Sequence, residues 1–326
     1  MASSSSSTDL FDSLFYAWAQ ENGEPLELDT PQLLIREGEP TPDLFILVDG
    51  AGQVRTAALD GDTVELAQIG PGQCVGEMSL LEERLPVATV EGLPGSRWIR
   101  VNHQRLLQAI AQNKPLGAST YLVFAAKLAR QLSSQNAFIH RWPGRDVEPL
   151  RKVLLVFGEW NELDVAWLAS QGERLEPAGD APFIREGAAL DTLYVVLEGE
   201  AEVLIDVDGN ATPVGSSRRG EILGEMSFLG EEDRATASVR PRAPMSLLAV
   251  PKARIRARLA EDAAFAERFH RSLAVLLSHR CRDQLMSRGL AAQAAALEEL
   301  DLTTLRNVST AGRRFEWLCD AMAGPR

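Results

Sequence analysis

One segment of this chain occurs twice. Trp18 returns as Trp167, 149 residues later, and at the same offset Gly23-Glu24-Pro25-Leu26-Glu27 returns as Gly172-Glu173-Arg174-Leu175-Glu176. Ile35-Arg36-Glu37-Gly38 matches Ile184-Arg185-Glu186-Gly187, and LFILVDGAGQV (44–54) matches LYVVLEGEAEV (193–203). Gly76-Glu77-Met78-Ser79 matches Gly224-Glu225-Met226-Ser227 at an offset of 148, and the offset is 149 again at Val101/Val250 and Arg105/Arg254. Register held over more than a hundred residues implies two copies of one domain, which suits the length of 326 residues. The copies are expected at residues 10–138 and 158–287. A Ser-rich disordered N-terminus (1–9), a linker (139–157) and a helical tail (288–326) surround them.

Within each copy a short helix leads. Phe11, Leu14, Phe15 and Trp18 have helical spacing in the first, and Asn161 is placed to cap a helix ending before Gly172 in the second. Short β-like runs follow: Leu33–Arg36, Leu44–Val48, Gln53–Ala58, Thr63–Ile69, Ala88–Glu91 and Arg97–Val101. Asp60-Gly61 and Asp208-Gly209 read as hairpin turns. This spacing predicts a small antiparallel barrel or jelly roll, mainly β with flanking helices. A closing helix carries Phe265, Phe269, Leu273, Leu276, Leu277 and Leu285 on one stripe, which suits packing on its own barrel or, as the sharper alternative, burial in a dimer. In the tail, Phe315, Leu318, Cys319 and Met322 share a face that predicts docking on the second copy or across a dimer.

The chain carries 33 Lys and Arg against 46 Asp and Glu, a net charge of −13, with a pI near 4.9. That argues against a nucleic-acid coat or a binder of anionic membranes. Charge is uneven: residues 1–143 net −7, 144–250 net −10, and 251–326 net +4. Arg254, Arg256 and Arg258 are followed closely by Glu261, Asp262 and Glu267, so a solvated face is the better reading than a nucleic-acid patch. Three cysteines without short spacing exclude a disulfide scaffold and a Cys-rich zinc site. With no signal peptide and no long apolar run, the expected location is cytoplasmic. The four histidines share no metal-binding spacing, and no Ser/His/Asp or Cys/His set can be assembled. No catalytic residue, metal or cofactor is therefore expected.

The candidate site is the Gly-Glu-Met-Ser segment of each copy. Glycine lets backbone approach a ligand, and a short helix starting there presents free N–H groups to a phosphate. The glutamate offers acceptors to a ribose, and an arginine about ten residues on would pair with phosphate oxygens. The bland alternative is that Glu77 and Glu225 hold their own loops and the glycines serve backbone shape.

On these pieces, with GEMSLLEERLPVATV (76–90) and GEMSFLGEEDRATASV (224–239), both copies resemble the cyclic nucleotide-binding domain family. This is the module of kinase regulatory subunits and bacterial cAMP receptor regulators. The resemblance implies an eight-stranded jelly-roll barrel with cAMP or cGMP held inside against this phosphate cassette, and a partly degenerate bacterial tandem. In the family an arginine followed by small residues precedes the Thr/Ser-Val strand. In copy one that position is Pro86, and Arg84 is two residues away. In copy two Arg234 is present, but Gly224 to Val239 spans 15 steps where Gly76 to Val90 spans 14. Counted from Gly224, Arg234 takes the arginine's place; counted back from Val239, Ala235 does. The ligand-binding candidates are therefore Gly224, Glu225, Met226, Ser227, Arg234, Ala235 and Thr236, with Gly76, Glu77, Met78 and Ser79 as a degenerate site.

The function expected is a non-enzymatic regulatory sensor or interaction protein in signalling. Nucleotide binding is left open in copy two and lost from copy one. Alternatives are a degenerate pair used as a scaffold and, less favoured, a transcription regulator, since residues 286–326 show no recognition helix. No Arg-Arg-x-Ser/Ala segment precedes copy one to support inhibition of a kinase. Expected partners are a cyclic nucleotide and a protein, or a second copy bound through the C-terminal helices, without membrane or nucleic acid.

Overall fold

A computed structural model of the chain describes residues 10–58, 61–137, 155–177, 179–230, 233–287, 289–291 and 302–323. The Ser-rich N-terminus, Asp60 and most of the expected linker lie outside the described residues. The described residues form two compact units. The first takes residues up to 128 and 277–291; the second takes 129–137, 155–276 and 302–323.

The first unit opens with α1 (Leu14–Asn22), capped by the Ser13 hydroxyl, which accepts the Tyr16 N–H at 3.1 Å. The helix begins after Phe11, and Phe11 and Leu14 are exposed, so Phe15, Tyr16 and Ala19 supply its buried face. Eight strands follow: β1 (Glu24–Leu28), β2 (Gln32–Ile35), β3 (Asp43–Asp49), β4 (Gly52–Ala57), β5 (Thr63–Ile69), β6 (Cys74–Val75), β7 (Thr89–Gly92) and β8 (Ser96–Asn102), with α2 (Glu77–Glu82) between β6 and β7. They make two antiparallel sheets, β1-β8-β3-β6 and β2-β7-β4-β5. The chamber between them is packed by Leu28, Ile35, Phe45, Leu47, Val90 and Trp98, among others. Two helices, α3 (His103–Gln112) and α4 (Lys114–Ala137), close the repeat.

The second unit begins with α5 (Leu155–Glu159) and α6 (Glu162–Gln171). Asn161 and Asp164 form the reciprocal capping box of α6. Next come β9 (Glu173–Leu175), β10 (Thr192–Glu198), β11 (Glu200–Val207), β12 (Asn210–Arg218) and β13 (Ile222–Leu223). After them lie α7 (Glu225–Leu229), β14 (Ser238–Pro241), β15 (Ser246–Pro251), α8 (Lys252–Glu261) and α9 (Ala263–Ser287). The sheets β9-β15-β10-β13 and β12-β11-β14 repeat the first unit's order. The counterpart of β2 is reduced to a bridge between Ile184 and Val239.

The repeat extends to details. Leu44 pairs with Val101 and Leu193 with Val250, and the register slips after Leu47 in one copy and after Val196 in the other. Arg105 donates to the Asn22 carbonyl at 2.6 Å and Arg254 to the Gln171 carbonyl at 2.9 Å, so each closes the end of its leading helix. Trp18 and Trp167 are both half-buried on those helices. Asp208 and Gly209 both adopt positive φ, as a two-residue hairpin turn requires.

The apolar stripe of α9 is buried along its length. Phe265 and Phe269 pack with Trp160, Trp167 and Phe228 in the second unit, while Leu285 belongs to the first. The tail forms α10 (Leu302–Met322) and lies in the second unit, with Phe315 and Leu318 buried and the Phe315 ring 5.0 Å from that of Phe157.

Candidate functional site

Gly76 and Gly224 start α2 and α7 with φ of +95° and +87°. A side chain at either would also collide with backbone, since a Cβ would stand 2.8 Å from the Asp43 carbonyl and 2.9 Å from its counterpart, the Thr192 carbonyl. Shape therefore requires glycine at both positions. The next residues, Glu77 and Glu225, are 1% and 3% exposed. The Arg-Glu-Gly turns brace the same walls. The Glu37 carboxylate accepts the Ala57 N–H at 2.8 Å while its own N–H donates to Thr89. Glu186 does the same with Asp206 at 2.7 Å and Ser238 at 3.0 Å.

In the first unit the cassette carboxylates Glu77 and Glu82 are matched by the protein itself. The Lys127 ammonium, from α4, donates to the Glu77 carboxylate. Burial alone would lower the lysine's pKa, but the Glu77 charge and hydrogen bond more than offset it and hold it raised. Glu82, at the end of α2, forms a fully buried ion pair with Arg282 and accepts the Ser278 hydroxyl. Arg282 donates also to the Leu85 carbonyl at 3.0 Å. Pro86 has no N–H to offer, and its carbonyl accepts the Gly38 N–H at 3.0 Å. Ser79 is buried on α2, and Met78 packs against a cluster that contains Ala58 and Val87.

The second unit answers the register question by its hydrogen bonds. Gly187 N–H donates to the Ala235 carbonyl at 2.8 Å, as Gly38 does to Pro86, so Ala235 is the counterpart of Pro86 and Arg234 precedes it. Arg234 is exposed, and its guanidinium donates to the Gly187 carbonyl at 2.8 Å. The Ala235 N–H donates to the Ala188 carbonyl at 2.9 Å. Thr236 is exposed, 3.8 Å from the half-buried Met226 sulfur. The Ser227 hydroxyl donates to the Gly224 carbonyl and accepts the Lys252 ammonium at 2.6 Å. Lys252 is 1% exposed; burial, aided by the nearby Arg256 charge and opposed by Asp233 and Glu225, pushes its pKa down to about 8. Asp233 faces Lys252 at 3.6 Å and Arg256 at 2.5 Å.

The sequence reading omitted Lys127, Glu82, Arg282 and Lys252. Lys127 did leave a signal. It is the lone charge in the apolar run Leu122-Val123-Phe124-Ala125-Ala126-Lys127-Leu128-Ala129, where a lysine must find a buried partner. The basic residues of α8 are engaged locally. Arg256 covers the Phe228 ring at 5.0 Å, and Arg258 covers Trp167 and Phe265 while meeting Asp164. Among the described residues no cluster of His, Cys, Asp and Glu could hold a metal, and no helix is long and apolar enough to cross a membrane.

The cyclic nucleotide-binding domain profile matches residues 25–113 and 177–262, one match per unit. The chain belongs to the cyclic nucleotide-binding domain family. As a tandem member of it, the chain is similar to the acetyltransferase Pat of Mycolicibacterium smegmatis, 26% identical over 237 residues, covering 63% of this chain and 69% of that protein. A cAMP-dependent protein kinase regulatory subunit of Aspergillus fumigatus is 26% identical over 195 residues, 60% of this chain and 40% of its own length. A cGMP-dependent protein kinase of Caenorhabditis elegans is 26% identical over 217 residues; the match covers 65% of this chain and 24% of the kinase. Among solved structures, the regulatory domain of a Toxoplasma gondii cAMP-dependent kinase with cAMP matches at 18% identity and a TM-score of 0.33, covering 84% of this chain and 92% of that one.

Proposed function

We propose that this tandem protein is a non-enzymatic regulatory module in which nucleotide recognition is confined to the second barrel. The observation that carries this reading is Lys127. In the first unit it holds the Glu77 carboxylate, whereas the corresponding position of the second repeat is Leu276, and the lysine charge that Glu225 meets is instead that of Lys252, shared with Ser227 and Asp233. The proposed second site comprises Gly224, Glu225, Met226, Ser227, Arg234, Ala235 and Thr236, with cAMP or cGMP as ligand. The likeness to kinase regulatory subunits supports a protein partner as the readout. We place the protein in the cytoplasm, and the repeats at 10–138 and 158–287.

Calorimetry of the intact chain with cAMP and cGMP tests the assignment. The expected result is one nucleotide per chain, with affinity reduced at least tenfold in Glu225→Ala, since a buried charge-assisted hydrogen bond is lost. Two nucleotides per chain, or one unaffected by Glu225→Ala, would overturn it. A second reading, a degenerate pair acting as a scaffold, draws support from the Arg234 guanidinium and Ala235 N–H both bonding to carbonyls of the 187–188 turn. Absence of heat with either nucleotide selects that reading.

A further inference from the structure

The last turn of α9 ends in the first unit. Leu290 N–H donates to the Leu285 carbonyl and Gly289 N–H to the Met286 carbonyl, both at 3.0 Å, with Gly289 at φ +72°. This is the paired closure that ends a helix in a left-handed residue and brings its two flanking apolar side chains together. Leu285 and Leu290 are 2% and 6% exposed, and they pack with Ala58 and Val87. Ala291 belongs to the same cluster, and Val64 and Leu66 of β5, Met78 of α2 and Met286 pack against it. Leu290 forms an antiparallel bridge with Ala58, and the Ala291 N–H donates to the buried Thr56 hydroxyl at 3.0 Å. Thr56 in turn has Glu37 and the Val87 carbonyl within 3.1 Å. Ala291 is wholly buried with φ +59°, a backbone region an alanine enters only when its surroundings require it.

The walls that hold this turn are the β4–β5 hairpin and the cassette. The cassette is the surface against which the resemblance puts a nucleotide. Toward the turn the two walls present Ala58, Val64, Leu66, Met78 and Val87 beside the Thr56 hydroxyl, and they meet it by one strand bridge and one hydrogen bond from a backbone N–H to that hydroxyl. We infer that the first barrel is an internal peptide receptor whose β4–β5 hairpin and cassette hold the chain's own Leu285, Leu290 and Ala291 in place of a nucleotide. The inference deepens the reading of the first barrel as closed and rests on it.

Hydrogen exchange of the full-length chain tests it. In Leu290→Asp the amides of the β4–β5 hairpin and of Ala291 are expected to exchange at least tenfold faster, while those of β10 and β11 stay as in the wild type. Thr56→Val, which removes the acceptor without changing side-chain volume, is expected to speed the Ala291 amide about tenfold; Thr56→Ser keeps its protection. Unchanged hairpin exchange in Leu290→Asp overturns the inference. If that variant fails to fold, equal Ala291 exchange in wild type and Thr56→Val overturns it. Slowing of hairpin exchange by cAMP or cGMP in Leu290→Asp overturns the closed-barrel reading instead and leaves the peptide seat standing.

Discussion

Arg282→Met is expected to lower stability by about 3 to 5 kcal/mol, because it strands a buried carboxylate rather than removing a surface contact. The side chains of Glu82 and Arg282 are 0% and 1% exposed, and each has further bonds to Ser278 and the Leu85 carbonyl. Burial alone would raise the Glu82 pKa. The Arg282 and His279 charges, with the Ser278 and Arg282 hydrogen bonds, outweigh that and hold it below the ordinary carboxyl range. A carboxyl with a depressed folded pKa stabilises the protein at pH values above its unfolded pKa, and that contribution fades as pH falls through the folded value. The wild type should therefore lose stability in acid with a slope that Glu82→Gln flattens. The double variant Glu82→Gln/Arg282→Met should be more stable than Arg282→Met alone, since no charge is then left buried without its partner. Urea unfolding across pH 3 to 7 reads all three; an Arg282→Met midpoint equal to wild type would refute the argument.

How much of this was written locally explains what could be read. The repeat and alternation of apolar residues placed six strands of the first barrel within about one residue of where they lie, because each needs only its own pleat and turn chemistry. Strands β1 and β6 escaped. Glu24-Pro25-Leu26-Glu27-Leu28 carries an inner proline and two charges, and Cys74-Val75 is two residues long. The leading helix was displaced by one turn, since Phe11 and Leu14 kept helical spacing without being buried. Asn161 was legible because its capping partner Asp164 is three residues away. The cassette chemistry was not. Glu77 meets Lys127 at a separation of 50 residues and Glu82 meets Arg282 at 200, and no period or spacing links such pairs. The displaced arginine was legible as an ambiguity of count. The hydrogen bond from Gly187 to Ala235 sets the register that the two ways of counting left open.

Phe315→Ala is expected to destabilise the second unit by about 3 to 5 kcal/mol and lower its melting temperature on the order of 10 °C. In proteins most helical stability comes from packing of an apolar face rather than from propensity, so α10 (21 residues) depends on what its apolar face touches. Phe315 is 3% exposed, packs edge-on against Phe157, and lies under the Arg219 guanidinium at 5.1 Å. Leu318 is fully buried beside it, and the Arg314 guanidinium donates to the Phe157 and Gly158 carbonyls at 3.1 and 3.2 Å. Those carbonyls belong to the short helix α5, whose last carbonyls have no helical partner, so the arginine supplies donors where a cation is also favoured. Deletion of residues 309–326 removes all of these contacts at once and should lower melting at least as far as Phe315→Ala. Trp317→Ala, at a side chain 50% exposed on the same helix, should change stability by no more than about 0.5 kcal/mol. Scanning calorimetry with sedimentation decides between two seats for this face. A melt lowered by Phe315→Ala without change in assembly places the contact within one chain. A lowered melt with dissociation of an oligomer would place it between chains and refute the intramolecular docking.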